Sequence, residues 1–119
     1  MKIVSTRKVF LATYNGWTAE DFHRECDNVG PTLVLVRNYK PTNVFGGFTM
    51  AEWDSPIFPS FKEDKSAFLF SVEDELIFKV KNPKKAICVH SNVGPNFGDV
   101  DLYFLSPMNQ NNNGMLKSG

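Results

Sequence analysis

Residues 16–36, GWTAEDFHRECDNVGPTLVLV, constrain this chain more than any other stretch, because they spell out a helix with both ends marked, a turn and an unbroken apolar strand. Thr18 is a good N-cap, Asp21 stands where a capping box puts its acidic partner, and Trp17 and Phe22 take the two positions of a hydrophobic staple. The spacing predicts a helix over residues 19–27. Ala19, Phe22, His23 and Cys26 form one apolar stripe, while Glu20, Asp21, Arg24 and Glu25 take the wet face, with Glu20 and Arg24 spaced for a helical ion pair. Gly30-Pro31 ends it, since glycine suits a left-handed C-terminal position and proline cannot continue the ladder. Asp27 opposes the helix dipole there, and a bond to the turn backbone is the expected reason for it.

The rest reads as sheet. Residues 8–14 mix β-branched and aromatic side chains up to the turn pair Asn15-Gly16, which predicts a strand. Residues 32–36 are apolar on both faces, the mark of a central strand covered on each side. After a turn at 40–43, residues 44–49 return as the hairpin partner, and Gly46-Gly47 reads as a bulge in preference to a close approach of another backbone. Residues 50–65 are too interrupted for a strand and too rich in proline for a helix, so a long loop is expected. A second hairpin is expected at 67–72 and 76–80, with further strands at 86–90 and 101–105. Seven strands and one helix predict a mainly β, α+β fold, a two-layer antiparallel β-sandwich with a flanking helix. It occupies residues 1–106, and the polar, asparagine-rich 107–119 is expected to be a mobile tail.

Composition excludes more than it assigns. A chain of 119 residues is one domain, and eleven phenylalanines point to a core built on them. Lys+Arg and Asp+Glu cancel at 13 each, leaving no overall field to attract nucleic acid or an anionic membrane. Two cysteines form no disulfide framework, and MKIVSTRKVF lacks the apolar core of a signal peptide, so a reducing, intracellular, cytoplasmic setting is expected. No apolar run approaches the roughly 20 residues that span a bilayer.

The residues that could carry chemistry fail one by one. His23 and Cys26 on the helix could meet Cys88 and His90 on a strand as a Cys2His2 zinc site, but an apolar stripe explains the first pair as core packing. A Cys26–His23 dyad lacks the electropositive, partly exposed setting that activates a thiol. Asn96, Asp99 and Asp101 fall far short of a calcium loop, and Gly46-Gly47 and Gly94 lead into no helix with a phosphate-binding lysine. Lys79, Lys81, Lys84 and Lys85 read as a solvated strand edge first and a docking patch for an acidic partner second. No catalytic residue, metal or cofactor is expected, and a binding module remains.

FHRECDNVGPTLVLV at 22–36, VFGGFT at 44–49, AFLFS at 67–71 and GPNFGDVDL at 94–102 stand in the order and spacing of a known family. The chain resembles the TLDc domain of eukaryotic oxidation-resistance proteins. The resemblance implies two antiparallel sheets packed face to face with flanking helices, and protection against oxidative stress without a settled enzymatic activity. It also implies association with the vacuolar proton-pumping ATPase (V-ATPase). It assigns Phe22, Cys26, Gly30, Pro31, Phe45, Gly46, Gly47, Trp53, Phe68, Phe70, Gly94, Pro95, Phe97 and Gly98 to the framework. The family carries more chain before the segment matching 9–14 and further strands after the asparagine-rich stretch. The expectation is therefore a shortened or partial domain, or one whose missing strands a partner supplies. A thiol-based redox scavenger or enzyme using Cys26 or Cys88 is the alternative of a different class.

The candidate binding residues are Trp53, Ile57, Phe58 and Phe61, apolar side chains in a loop where the resemblance leads one to expect small polar ones. They could fold back as a lid or stand out as a patch. The lid is favoured, because burying one such side chain is worth about 1.5–3 kcal/mol.

Overall fold

The computed structural model describes residues 7–39, 42–98 and 102–103. The expected tail at 107–119, residues 104 and 105 of the last strand, and Asp99 and Asp101 lie outside the described residues. Two helices come first: α1 (Ala12–Asn15) and α2 (Ala19–Cys26). The strand expected at 8–14 is not formed. Leu11 N–H donates to the Asn15 side-chain oxygen at 2.8 Å, and the Leu11 carbonyl accepts from Tyr14 and Asn15, so a local turn of helix wins over β propensity.

Helix α2 starts as its sequence requires. Thr18 Oγ1 accepts from Asp21 N–H at 3.1 Å, and Asp21 Oδ2 accepts from Thr18 N–H at 3.2 Å, closing the capping box. Bonds from the Thr18 hydroxyl and backbone, then from Arg24, hold the Asp21 carboxyl below its ordinary range. Arg24 reaches Asp21 at 3.0 Å and Glu25 at 3.3 Å in place of the expected Glu20. Asp27 does not bond the turn backbone through its side chain; one oxygen meets His23 Nδ1 at 2.6 Å and the other accepts from Ser55 Oγ at 2.8 Å.

Eight strands follow: β1 (Thr32–Tyr39), β2 (Thr42–Thr49), β3 (Ser60–Lys62), β4 (Phe68–Ser71), β5 (Leu76–Lys79), β6 (Ile87–Val89), β7 (Asn96–Phe97) and β8 (Leu102–Tyr103). They form two antiparallel sheets, ordered β1-β2-β4-β5 and β3-β6-β7-β8. A 3-10 turn at Pro83–Lys85 leads into β6. The fold is thus mainly β with a flanking helix. Strand β3 lies inside the expected loop; its residues are exposed or half-buried, so no apolar alternation announced it.

Two expectations about the first sheet are corrected. Strand β1 is an edge strand, and Leu33 and Leu35 on its outer face are 42% and 63% exposed, because no layer covers that face among the described residues. The pairings of β2 with β1 and β4 run unbroken through Gly46 and Gly47, so there is no bulge. The glycines serve close approach instead. A Cβ on Gly46 would fall 1.7 Å from the Val34 carbonyl oxygen, and one on Gly47 would fall 2.8 Å from the Phe97 ring.

The core lies between the sheets and under α2. Phe45 and Leu69 meet Ile87, Val89, Phe97 and Leu102, with Phe22 and Cys26 from the helix. Trp53 sits at their junction, edge-on to Phe22 and Phe97 at 5.6 and 5.5 Å between ring centroids, with Phe10 closing on Phe22 at 5.8 Å. Phe68 and Phe70 lie half-buried on the other side of the first sheet, where Phe48 stacks on Phe68 at 5.4 Å.

Candidate protein-interaction site

The loop from Trp53 to β3 is built from a buried end outward. Trp53 is fully buried, and its indole N–H donates to Thr32 Oγ1 at 2.8 Å. It is therefore a core residue and not the binding residue expected, since an indole whose ring and N–H are both satisfied inside the protein has nothing left to offer a partner. Four residues on, the chain reverses character: Ile57 and Phe58 are 79% and 80% exposed. The lid favoured from the sequence is not what forms. Sheets and α2 already close on Trp53, so no open end is left there for Ile57 and Phe58 to cover. Phe61, on β3, is 39% exposed.

What holds these side chains outward is a ring of polar fastenings on the loop backbone. Ser91 N–H donates to the Pro56 carbonyl at 2.9 Å. His90 Nε2 donates to the Ile57 carbonyl at 2.8 Å while its Nδ1 accepts from Asn92 N–H at 3.2 Å, which fixes the tautomer. Ser55 is tied to Asp27, Asn28 N–H donates to the Trp53 carbonyl at 2.8 Å, and Lys62 bridges to Asp54 at 2.6 Å. With Pro56 and Pro59 on either side, the two apolar side chains form a prong on a braced loop. Its cost in ordering has already been met by folding, which favours binding. The sequence showed Ile57 and Phe58 but not His90, Ser91 and Asp27, which lie about 30 residues away and converge only in the fold.

An open cleft of about 790 Å³ is lined by Thr18, Ala19, Glu20, His23, Arg24, Asp27, Ser55, Ser91 and Asn92. It contains a serine, an aspartate and a histidine in the wrong order for nucleophilic catalysis. Ser55 donates to Asp27, and His23, 6% exposed, turns Nε2 to the His90 and Val93 carbonyls at 2.8 Å each. No basic ring nitrogen faces the Ser55 hydroxyl. The network ties α2 to the turn at 90–93. Because both histidines use both ring nitrogens in these bonds, the zinc grouping of His23, Cys26, Cys88 and His90 is not assembled; no cluster of three or more metal-ligating groups occurs among the described residues.

Cys26 and Cys88 are both buried, and neither is in a disulfide. Burial first, then the nearby Asp27 and Glu25 carboxylates, push the Cys26 thiol up to about 12. Of the other residues assigned to the framework, Phe22, Phe45, Gly46, Gly47, Gly94, Pro95, Phe97 and Gly98 are buried, Gly30 is half-buried and Pro31 exposed. No helix among the described residues is long and apolar enough to cross a membrane.

Comparison with curated proteins and with solved structures gave no match. A family model for the TLDc domain matches residues 1–117, nearly the whole chain. By that match, and with the two-sheet architecture that the resemblance implied, the chain belongs to the TLDc domain family.

Proposed function

We propose that this chain is a non-catalytic, intracellular protein-interaction domain that contacts its partner through Ile57 and Phe58. The observation that carries the reading is the pair of adjacent apolar side chains, each about four-fifths exposed, on a loop braced from both sides. Exposed apolar groups cost solubility, and large ones rimmed by polar residues mark interaction sites. The family is linked to oxidative stress, and the proposal places this domain's contribution in binding. The V-ATPase is the partner to test first.

Replacing Ile57 and Phe58 with Ser should leave the melting temperature within the small range of surface substitutions, about 0.5 kcal/mol. The same change should abolish recovery of the partner from lysate. Capture of V-ATPase subunits by the unmodified chain and their loss in the double variant would support the assignment. A large fall in melting temperature, or full partner recovery by the variant, would refute the prong.

A thiol enzyme using Cys26 or Cys88 is the competing reading. Burial of both thiols, and the raised value of Cys26, argue against it, since the thiolate is the reactive form. Under native conditions at neutral pH both cysteines should label with a maleimide only as fast as the chain unfolds, and rapidly in denaturant. Rapid labelling of either thiol in the folded protein would restore the redox reading.

A further inference from the structure

We infer that the partner segment recognised by the prong is acidic and carries an apolar side chain, and that it lies across Phe58 and Phe61 onto Lys81, Lys84 and Lys85; this rests on the interaction reading above and names its partner class. The apolar and cationic groups belong to one rigid unit. Lys85 Nζ lies 5.0 Å from the centroid of the Phe61 ring, and Phe61 follows Phe58 by three residues, a span of at most about 10 Å. The 3-10 turn that carries Lys84 and Lys85 is fastened to the same strand. Asp64 N–H donates to the Pro83 carbonyl at 2.9 Å, Ala86 N–H donates to the Lys62 carbonyl at 3.1 Å, and Asn82 caps the turn through Lys84 N–H at 3.1 Å.

These lysines are a local surplus in a chain of zero net charge. Lys81, Lys84 and Lys85 are exposed, and none makes an ion pair among the described residues, whereas Lys62 is taken by Asp54. A carboxylate arriving beside Phe61 therefore meets cations that give up no ion pair among the described residues. Glu52 and Glu63, both exposed, add negative charge to the stretch of chain that carries the prong, while Asp54 is held by Lys62, so that stretch has both signs. That suits a peptide with its acidic residues on one side, and it opposes a uniformly anionic lipid surface, which these two carboxylates would repel.

The test is selection of a random-peptide display library on the folded chain, followed by affinity measurement of the recovered peptides by fluorescence anisotropy. Recovered peptides should pair Asp or Glu with a large apolar residue. The triple variant Lys81→Glu, Lys84→Glu, Lys85→Glu should bind them at least about tenfold more weakly in low salt, with the difference narrowing as salt is added. Ile57→Ser with Phe58→Ser should also weaken them. Melting curves of both variants should stay close to the parent's, since every altered side chain is exposed and the lysine variant loses only the contact of Lys85 with the Phe61 ring. Peptides without acidic bias, no recovered peptide, or affinity indifferent to lysine reversal would overturn the acidic class. If the prong variant still loses those peptides, the interaction reading stands without it; if neither variant loses them, both fall. Sedimentation with phosphatidylserine vesicles supplies the remaining outcome, because vesicle binding that depends on the same lysines would replace the peptide with a membrane.

Discussion

Trp53→Ala should lower stability by about 3–5 kcal/mol, a large share of the total of about 5–15 kcal/mol for a domain of this kind. Trp53 is fully buried and is the point at which α2, the first sheet's Gly47 side and β7 come together through Phe22 and Phe97. Removing the indole opens a void that neither ring can fill, since each is held by its own backbone element. It also strips the partner from the Thr32 hydroxyl. Trp53→Phe separates these effects: the ring contacts survive in part while the hydrogen bond is lost, so its loss should fall between the parent and the alanine variant. Urea denaturation followed by far-ultraviolet circular dichroism measures both. An alanine variant with an unchanged midpoint would show that the sandwich does not depend on this junction.

How much of this was legible in the sequence varies from element to element, and the reason is the range of the forces involved. Helix α2 was legible almost to the residue, because Thr18, Asp21 and the stripe Ala19, Phe22, His23 and Cys26 act within a few positions of one another. The hairpins β1–β2 and β4–β5 were legible for the same reason, since each partner is the next segment of chain. What failed depended on distant company. The apolar run at 32–36 reads as a central strand, yet only the sheet order places it at an edge. Gly46-Gly47 names a crowded place without saying whether the crowding comes from a bulge, from Val34 or from Phe97. The candidate site shows the same division: Ile57 and Phe58 stand out in sequence, while Trp53, equally apolar and four residues earlier, goes to the core. Nothing local tells them apart. Trp53 is retained by Phe22, Phe97 and Thr32, and Ile57 is held out by a carbonyl bond to His90.

Asp64→Ala should cost about 2–4 kcal/mol near neutral pH, and the cost should shrink as the solution is made acid. Asp64 is 8% exposed and accepts four hydrogen bonds: from Thr49 Oγ1 and Met50 N–H at 2.7 Å each on one oxygen, and from Ser66 N–H at 2.9 Å and Ser66 Oγ at 2.6 Å on the other. It thereby clamps the end of β2 to the turn before β4, and Thr49, fully buried, has no water to turn to if the carboxylate is removed. Burial acts to raise the Asp64 carboxyl, but the bonds from Ser66, Thr49 and Met50 outweigh it, so the carboxyl is held below its ordinary value. The unfolded chain therefore takes up this proton at a higher pH than the native state does. The sign follows: the stabilisation is complete above the unfolded value of about 3.9 and is lost as pH falls through the lower native value. Asp64→Asn keeps the shape but turns an amide N–H₂ toward hydrogen-bond donors, so it should lose stability at neutral pH and show little of the acid dependence. The gap in urea midpoint between the parent and both variants should narrow from neutral to strongly acid pH. A gap between parent and variants that stays constant across that range would show that Asp64 contributes through packing alone.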